Sequence, residues 1–209
     1  MNTESLMASS GTSSSLGSAG EIPESSTAPD FVPHGLTAAQ AAQLQAWVGG
    51  SGSPRAWAEV YRGSRDGFTA AAFHALCDDK ARLLVLVRNA EAGWLFGGFT
   101  ALGFLKGATR FYADPAAFLF SLTNPAGRPE RLASKGDGNG VYYHSSHLVH
   151  MGNGWDFAIA DGCASNKSSW TNPGHSYAAP SVAGGSHPMA RGQVVKFTVA
   201  ELVAWTVPQ

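Results

Sequence analysis

Residues 82–104, RLLVLVRNAEAGWLFGGFTALGF, constrain the fold more than any other stretch of this chain. An apolar run at 83–87, a polar turn over 89–93 and a second apolar run around Gly97 and Gly98 predict a β-hairpin. Two adjacent glycines between Phe96 and Phe99 give up strand propensity. Such a pair implies a bulge, or the close approach of another segment to bare backbone. The hairpin commits the chain to a β-rich core and supplies no chemistry of its own.

At 209 residues there is room for one core and a tail. The 14 basic and 15 acidic residues leave a net charge of −1, and no Lys/Arg cluster is present to follow a phosphate backbone. This argues against nucleic acid or an anionic membrane as partner. Cys77 and Cys163 could form one disulfide at most, too few for a disulfide-framed secreted module, so a reducing, cytoplasmic setting is expected. No apolar run has the length or flanks of a signal peptide or membrane span, so neither is expected.

Residues 1–30 are dominated by Ser, Gly, Ala and Thr and read as a disordered tail, with one domain over 31–209. The domain opens on a helix: Thr37 and Gln40 form a capping box, Leu44, Trp47 and Val48 share a face, and Gly49-Gly50 ends it. Residues 53–68 satisfy two periods at once. Trp57, Val60 and Tyr61 fit a helical stripe, whereas Trp57, Glu59 and Tyr61 alternate as one face of a strand. A turn follows at Arg65-Asp66-Gly67, then a short helix capped by Thr69, stapled by Phe68 and Phe73, with Phe73, Leu76 and Cys77 facing inward.

Beyond the hairpin, Phe118, Phe120 and Leu122 alternate in a strand that is nearly apolar on both sides. Residues 124–140 are turn-rich, 141–143 read as a short strand, and Trp155, Phe157 and Ile159 alternate in another. Residues 161–193 read as a long polar loop, and Val195, Phe197 and Val199 as one closing strand. Together these predict a mainly β (α+β) fold, a β-sandwich with a few short helices.

Two chemical readings compete with a purely structural one. His74 and Cys77, with His144 and His147 at the same spacing, make an HxxC plus HxxH set suited to tetrahedral zinc; the alternative packs Cys77 in the core and leaves the histidines hydrogen-bonded. A redox thiol is the second. Cys77 stands at a helix end with Asp78 and Asp79 following, which opposes a thiolate, while Lys80 and Arg82 compensate in part. Cys163, in the polar loop, reads as the more exposed thiol. No GxSxG elbow or GxxxxGK[ST] loop occurs, and Asp66, Asp137, Asp156 and Asp161 lie in turn-forming contexts. Asn166-Lys167-Ser168 matches a glycosylation sequon that reads as coincidental without a secretory signal. No catalytic residues, metal or cofactor are expected.

The segments YRGSRDGF (61–68), FHALCD (73–78), LLVLV (83–87), LFGGFT (95–100), DPAAFLFSL (114–122) and FTVAELVAW (197–205) occur in an order and spacing that resembles the TLDc domain of the oxidation resistance proteins. The resemblance covers about residues 35–209 and makes 57–61 a strand within a two-sheet antiparallel sandwich. Asp66, Gly67, Gly97, Gly98 and Glu201 stand at signature positions of the family. Where family members carry a second glutamate, two residues after Glu201, this chain has Val203. The resemblance implies a non-enzymatic interaction module, linked to oxidative-stress protection, whose partner could be the cytosolic sector of the vacuolar proton-pumping ATPase. An antioxidant thiol protein using Cys77 or Cys163 is the alternative.

Overall fold

A computed structural model describes residues 34–49, 57–108, 110–183 and 185–206. The tail expected over residues 1–30 and the helix-ending Gly50 lie outside the described residues. The elements are α1 (Ala38–Gly49), β1 (Ala58–Arg62), α2 (Gly63–Asp66), α3 (Ala70–Cys77), β2 (Leu83–Asn89), β3 (Leu95–Thr100), β4 (Phe118–Ser121), β5 (Glu130–Ala133), β6 (His147–Met151), β7 (Phe157–Ala160), β8 (Ser169–Thr171), β9 (Val195–Phe197) and β10 (Val199–Thr206). They build two antiparallel sheets, one of six strands in the order β1-β10-β2-β3-β4-β5 and one of four, β6-β7-β8-β9.

The six-stranded sheet is the middle layer. On one face Leu84, Leu86, Phe99, Phe118, Phe120 and Trp205 pack with Leu44 and Val48 of α1. On the other, Val85, Val87, Phe96 and Leu119 meet Val149, Met151, Phe157 and Ile159 of the smaller sheet. Coverage on both faces explains why β2 and β4 read as unbroken apolar runs instead of alternating ones. It also explains the glycine pair. The β2–β3 register is regular, without a bulge. A Cβ on Gly97 would lie 1.9 Å from the Val85 carbonyl oxygen and 2.9 Å from the Phe120 ring, whereas one on Gly98 would lie 2.6 Å from Met151 Sδ. One glycine therefore makes room on the α1 side and the other admits the second sheet.

The capping box forms as expected: Thr37 N donates to Gln40 Oε1 at 2.9 Å and Gln40 N to Thr37 Oγ1 at 3.2 Å. Thr69 caps α3 by accepting from Ala72 N. Residues 58–62 form a strand, but β1 bulges between Glu59 and Tyr61, so Trp57 packs beneath α1 while Tyr61 turns to the opposite core. The expected single face of Trp57, Glu59 and Tyr61 is thus split.

Other expectations are corrected. Arg65-Asp66-Gly67 is the end of the one-turn helix α2. Leu76 is 37% exposed while Phe73 and Cys77 are buried. Residues 141–143 contribute only isolated bridges from Val141 to Tyr112 and Met151. Strand β5 lies within the turn-rich stretch, β8 within the long loop, and β6 was not anticipated. Trp155 stands outside β7 with φ +58°. The closing strand is two: β9 belongs to the small sheet, and after Thr198 the chain crosses to the large one as β10.

Candidate interaction surface

Asp66, Gly67 and Glu201, expected at signature positions from resemblance, converge at one exposed corner built on α2. Gly63 starts this turn because a Cβ there would lie 2.2 Å from the Phe68 ring. Residue 62 makes no side-chain cap, so the donors of the turn are met from a distance. Glu201 accepts from Ser64 N at 3.1 Å and Ser64 Oγ at 2.5 Å, its carboxylate aimed there by a bulge between Val199 and Glu201. Asp66 Oδ2 accepts from Arg62 N at 2.8 Å. Gly67, at φ +95°, closes the turn with its N–H on the Gly63 carbonyl, and its own carbonyl accepts the Tyr61 hydroxyl.

Around the turn runs a network of both signs. Arg65 grips Asp66 through Nε (2.8 Å) and Nη2 (2.7 Å), and reaches Glu59 through Nη1 at 2.5 Å. Glu59 also receives Arg62 at 2.7 Å and His34 at 3.0 Å. The Arg65 hydrogen bond holds the Asp66 carboxyl below its ordinary range. Burial pushes Glu59 up, but the hydrogen bond and charge of Arg62, with His34 and Arg65, outweigh it and hold that carboxyl low. Exposed ion pairs of this kind add little to stability. They do fix an arginine that is 49% exposed, with two of its five N–H donors unused by the corner.

The thiols are elsewhere. Cys77 and Cys163 are both fully buried, in the core shared by the two sheets, so the expectation that Cys163 is exposed is corrected. It turns inward because its loop is tied down, with Val199 N donating to its carbonyl. Burial, then Asp78, pushes the Cys77 thiol well up, and burial pushes Cys163 up to about 12. Neither is poised as a nucleophile.

The HxxC and HxxH residues do not converge as a set. His74 Nδ1 lies 2.6 Å from Asp78, and its Nε2 faces the carbonyls of His147 (2.8 Å) and His144 (3.2 Å), so His74 ties α3 to β6. His144 and His147 instead join His150, on the outer face of the small sheet with Trp155 and Trp170. Among the described residues no group of three or more His, Cys, Asp or Glu is placed to hold a metal.

A cleft of about 490 Å³ lies between α1 and the β4–β5 connection, lined by residues such as Gln43, Trp94, Leu122 and Asn124, with no titratable side chain in its wall. It offers no acid–base chemistry.

Two features escaped the sequence reading. Asp156, fully buried, accepts from Gly174, His175 and Tyr177 N at Oδ1 and from Ser176 N at Oδ2, which folds the long loop against the sheet. The adjacent Gly152 is required, since its Cβ would lie 2.2 Å from Asp156 Oδ2. His150 was the other, and the signal available was its spacing, the third of HxxHxxH over 144–150. Asn166, of the sequon, donates its side-chain amide to the carbonyls of Asp161 and Gly162 at 2.9 Å. No helix of the described residues is long and apolar enough to cross a membrane. No curated protein matches the chain significantly. The sequence model of the TLDc domain matches residues 34–207, nearly the whole chain, which therefore belongs to the TLDc domain family.

Proposed function

We propose that this protein is a non-enzymatic binding module of the cytoplasm that serves a TLDc-type oxidation-resistance role by engaging another protein. Its proposed partner is the cytosolic sector of the vacuolar proton-pumping ATPase. Family membership over residues 34–207 supports the oxidation-resistance role. The single observation that carries the binding reading is the α2 corner, where Asp66 and Glu59 hold an exposed, pre-oriented Arg65 with donors to spare and Glu201 holds the turn beneath it through Ser64. Ordering entropy for that side chain is already spent, so a partner carboxylate gains more from meeting it.

The alternative, an antioxidant thiol protein, finds less support in thiols that are buried and shifted away from the reactive form. Peroxide protection in cells separates the two readings. Cys77→Ala with Cys163→Ala is expected to protect as the parent does, and Arg65→Glu to lose protection at equal protein level. Protection lost with the cysteines and kept in Arg65→Glu would reverse the assignment.

A further inference from the structure

The outer face of the small sheet is assembled by a bulge. Register slips between His147 and Val149, so Leu148 turns into the core and His147 and His150 share one face, opposite Ala160 and Ala158. Trp170 stands on the same face, opposite Ala158 and Lys196. Small alanines leave the space above them to rings. His150 stacks on Trp155 at 4.0 Å and 16°, Trp155 lies 4.7 Å from Trp170, and His147 lies 4.4 Å from His144. Phe111 and Tyr142 close the other side of His150, each at 5.3 Å.

This packing has an unusual cost. His150 is 4% exposed, and neither ring nitrogen makes a hydrogen bond of good geometry, although the Gly152 backbone lies close by. Trp155 is held at φ +58°, a region that bulky side chains avoid. Protonating His150 would add a buried charge to a stack that already holds two poorly met nitrogens and a strained backbone.

We propose that this face is an acid-triggered switch, in which protonation of His147 and His150 opens the ring stack and exposes Trp155 and Trp170. The charged groups facing the cluster do not rescue an imidazolium. His144 adds a like charge when protonated and shares the uncharged Ser146 hydroxyl with His147 at 3.0 and 3.5 Å, and Lys196, opposite Trp170, has no acceptor to offer. Asp161 acts on His147 but already accepts from Ala70 N at 2.7 Å. His74 approaches only through backbone carbonyls, with its own ring against Asp78. Burial, then His144, lowers His147 to about 4; burial, then His147 and His144, lowers His150 to about 3, opposed only in part by the Gly152 backbone.

The sign follows from linkage. Both folded values lie below the ordinary histidine value near 6.5, so the open form binds more protons and the closed form is favoured at and above neutrality. Stability of the face falls as pH drops through about 6.5 and continues to fall to about 3, with both histidines contributing down to about 4. With two protons taken up, the open fraction rises by up to about 100-fold per pH unit across that window.

Hydrogen exchange of the full chain between pH 7.5 and 4.5, corrected for intrinsic rates, tests this. Amides of His147–Met151 are expected to gain opening by up to about 100-fold per unit below pH 6 while those of Leu83–Asn89 gain far less, and tryptophan emission should shift to the red in step. In His147→Gln/His150→Phe the slope should vanish; in His147→Gln alone it should halve. If the double variant does not fold, the native protein decides by NMR: imidazoles that titrate near 6.5 with no change in exchange would overturn the proposal. So would equal slopes in both strands, or an undiminished slope in His147→Gln.

Discussion

The α2 corner and the outer face of the small sheet both gather titratable side chains, and they treat them in opposite ways. At the corner, Asp66 and Glu59 are kept charged because each finds a cationic donor within reach, Arg65 for Asp66 and Arg62 for Glu59, while Glu201 accepts from Ser64. On the outer face, burial holds the His147 and His150 imidazoles low, and His150 is enclosed by rings without a hydrogen-bond partner of good geometry. Matched charge holds a surface open to a partner across a wide pH range, while unmatched burial makes a surface conditional on pH. The difference teaches that the proposed binding surface and the proposed pH-conditional surface need not be the same.

The sharpest way to break this contrast is Asp156, a carboxylate that serves the outer-face sheet as the corner's carboxylates serve α2. Asp156→Ala would strand backbone N–H groups of residues 174–177 in a buried site, so the loop should detach, with a loss of about 3 kcal/mol or more by denaturant titration. A loss below about 1 kcal/mol would show that the loop is held by packing alone. Glu201→Ala has a smaller effect, because the corner is exposed and water replaces the lost acceptor. About 1 kcal/mol is expected by the same titration, with local exchange confined to residues 63–67. A larger global loss would move Glu201 from presenting a surface to holding the fold.

Local rules were readable where partners are close in sequence. Thr37 with Gln40, Thr69 with Ala72, and the hairpin of β2 and β3 needed only near neighbours, and all formed as expected. The glycine pair announced a close approach, but which segments approach, Phe120 and Met151, depends on strands far along the chain. The same distance hid the division at Thr198. Val195, Phe197 and Val199 alternate perfectly, and alternation cannot report that two sheets share the run. Cys163 looked exposed because its neighbours are polar, yet those neighbours turn outward while it turns in. Asp66, Gly67 and Glu201 were singled out by resemblance. Their convergence needed β10 to pair with β1 and bulge beside α2.

The central claim is that the protein acts by binding through the α2 corner. The direct measurement is equilibrium binding of the full chain to the purified cytosolic sector of the vacuolar ATPase, at pH 7 under reducing conditions, for the parent, Arg65→Glu and Cys77→Ala/Cys163→Ala. Saturable binding by the parent and the cysteine variant, weakened at least about tenfold in Arg65→Glu, is the predicted result. No binding by the folded parent, or identical affinity in Arg65→Glu, would contradict it.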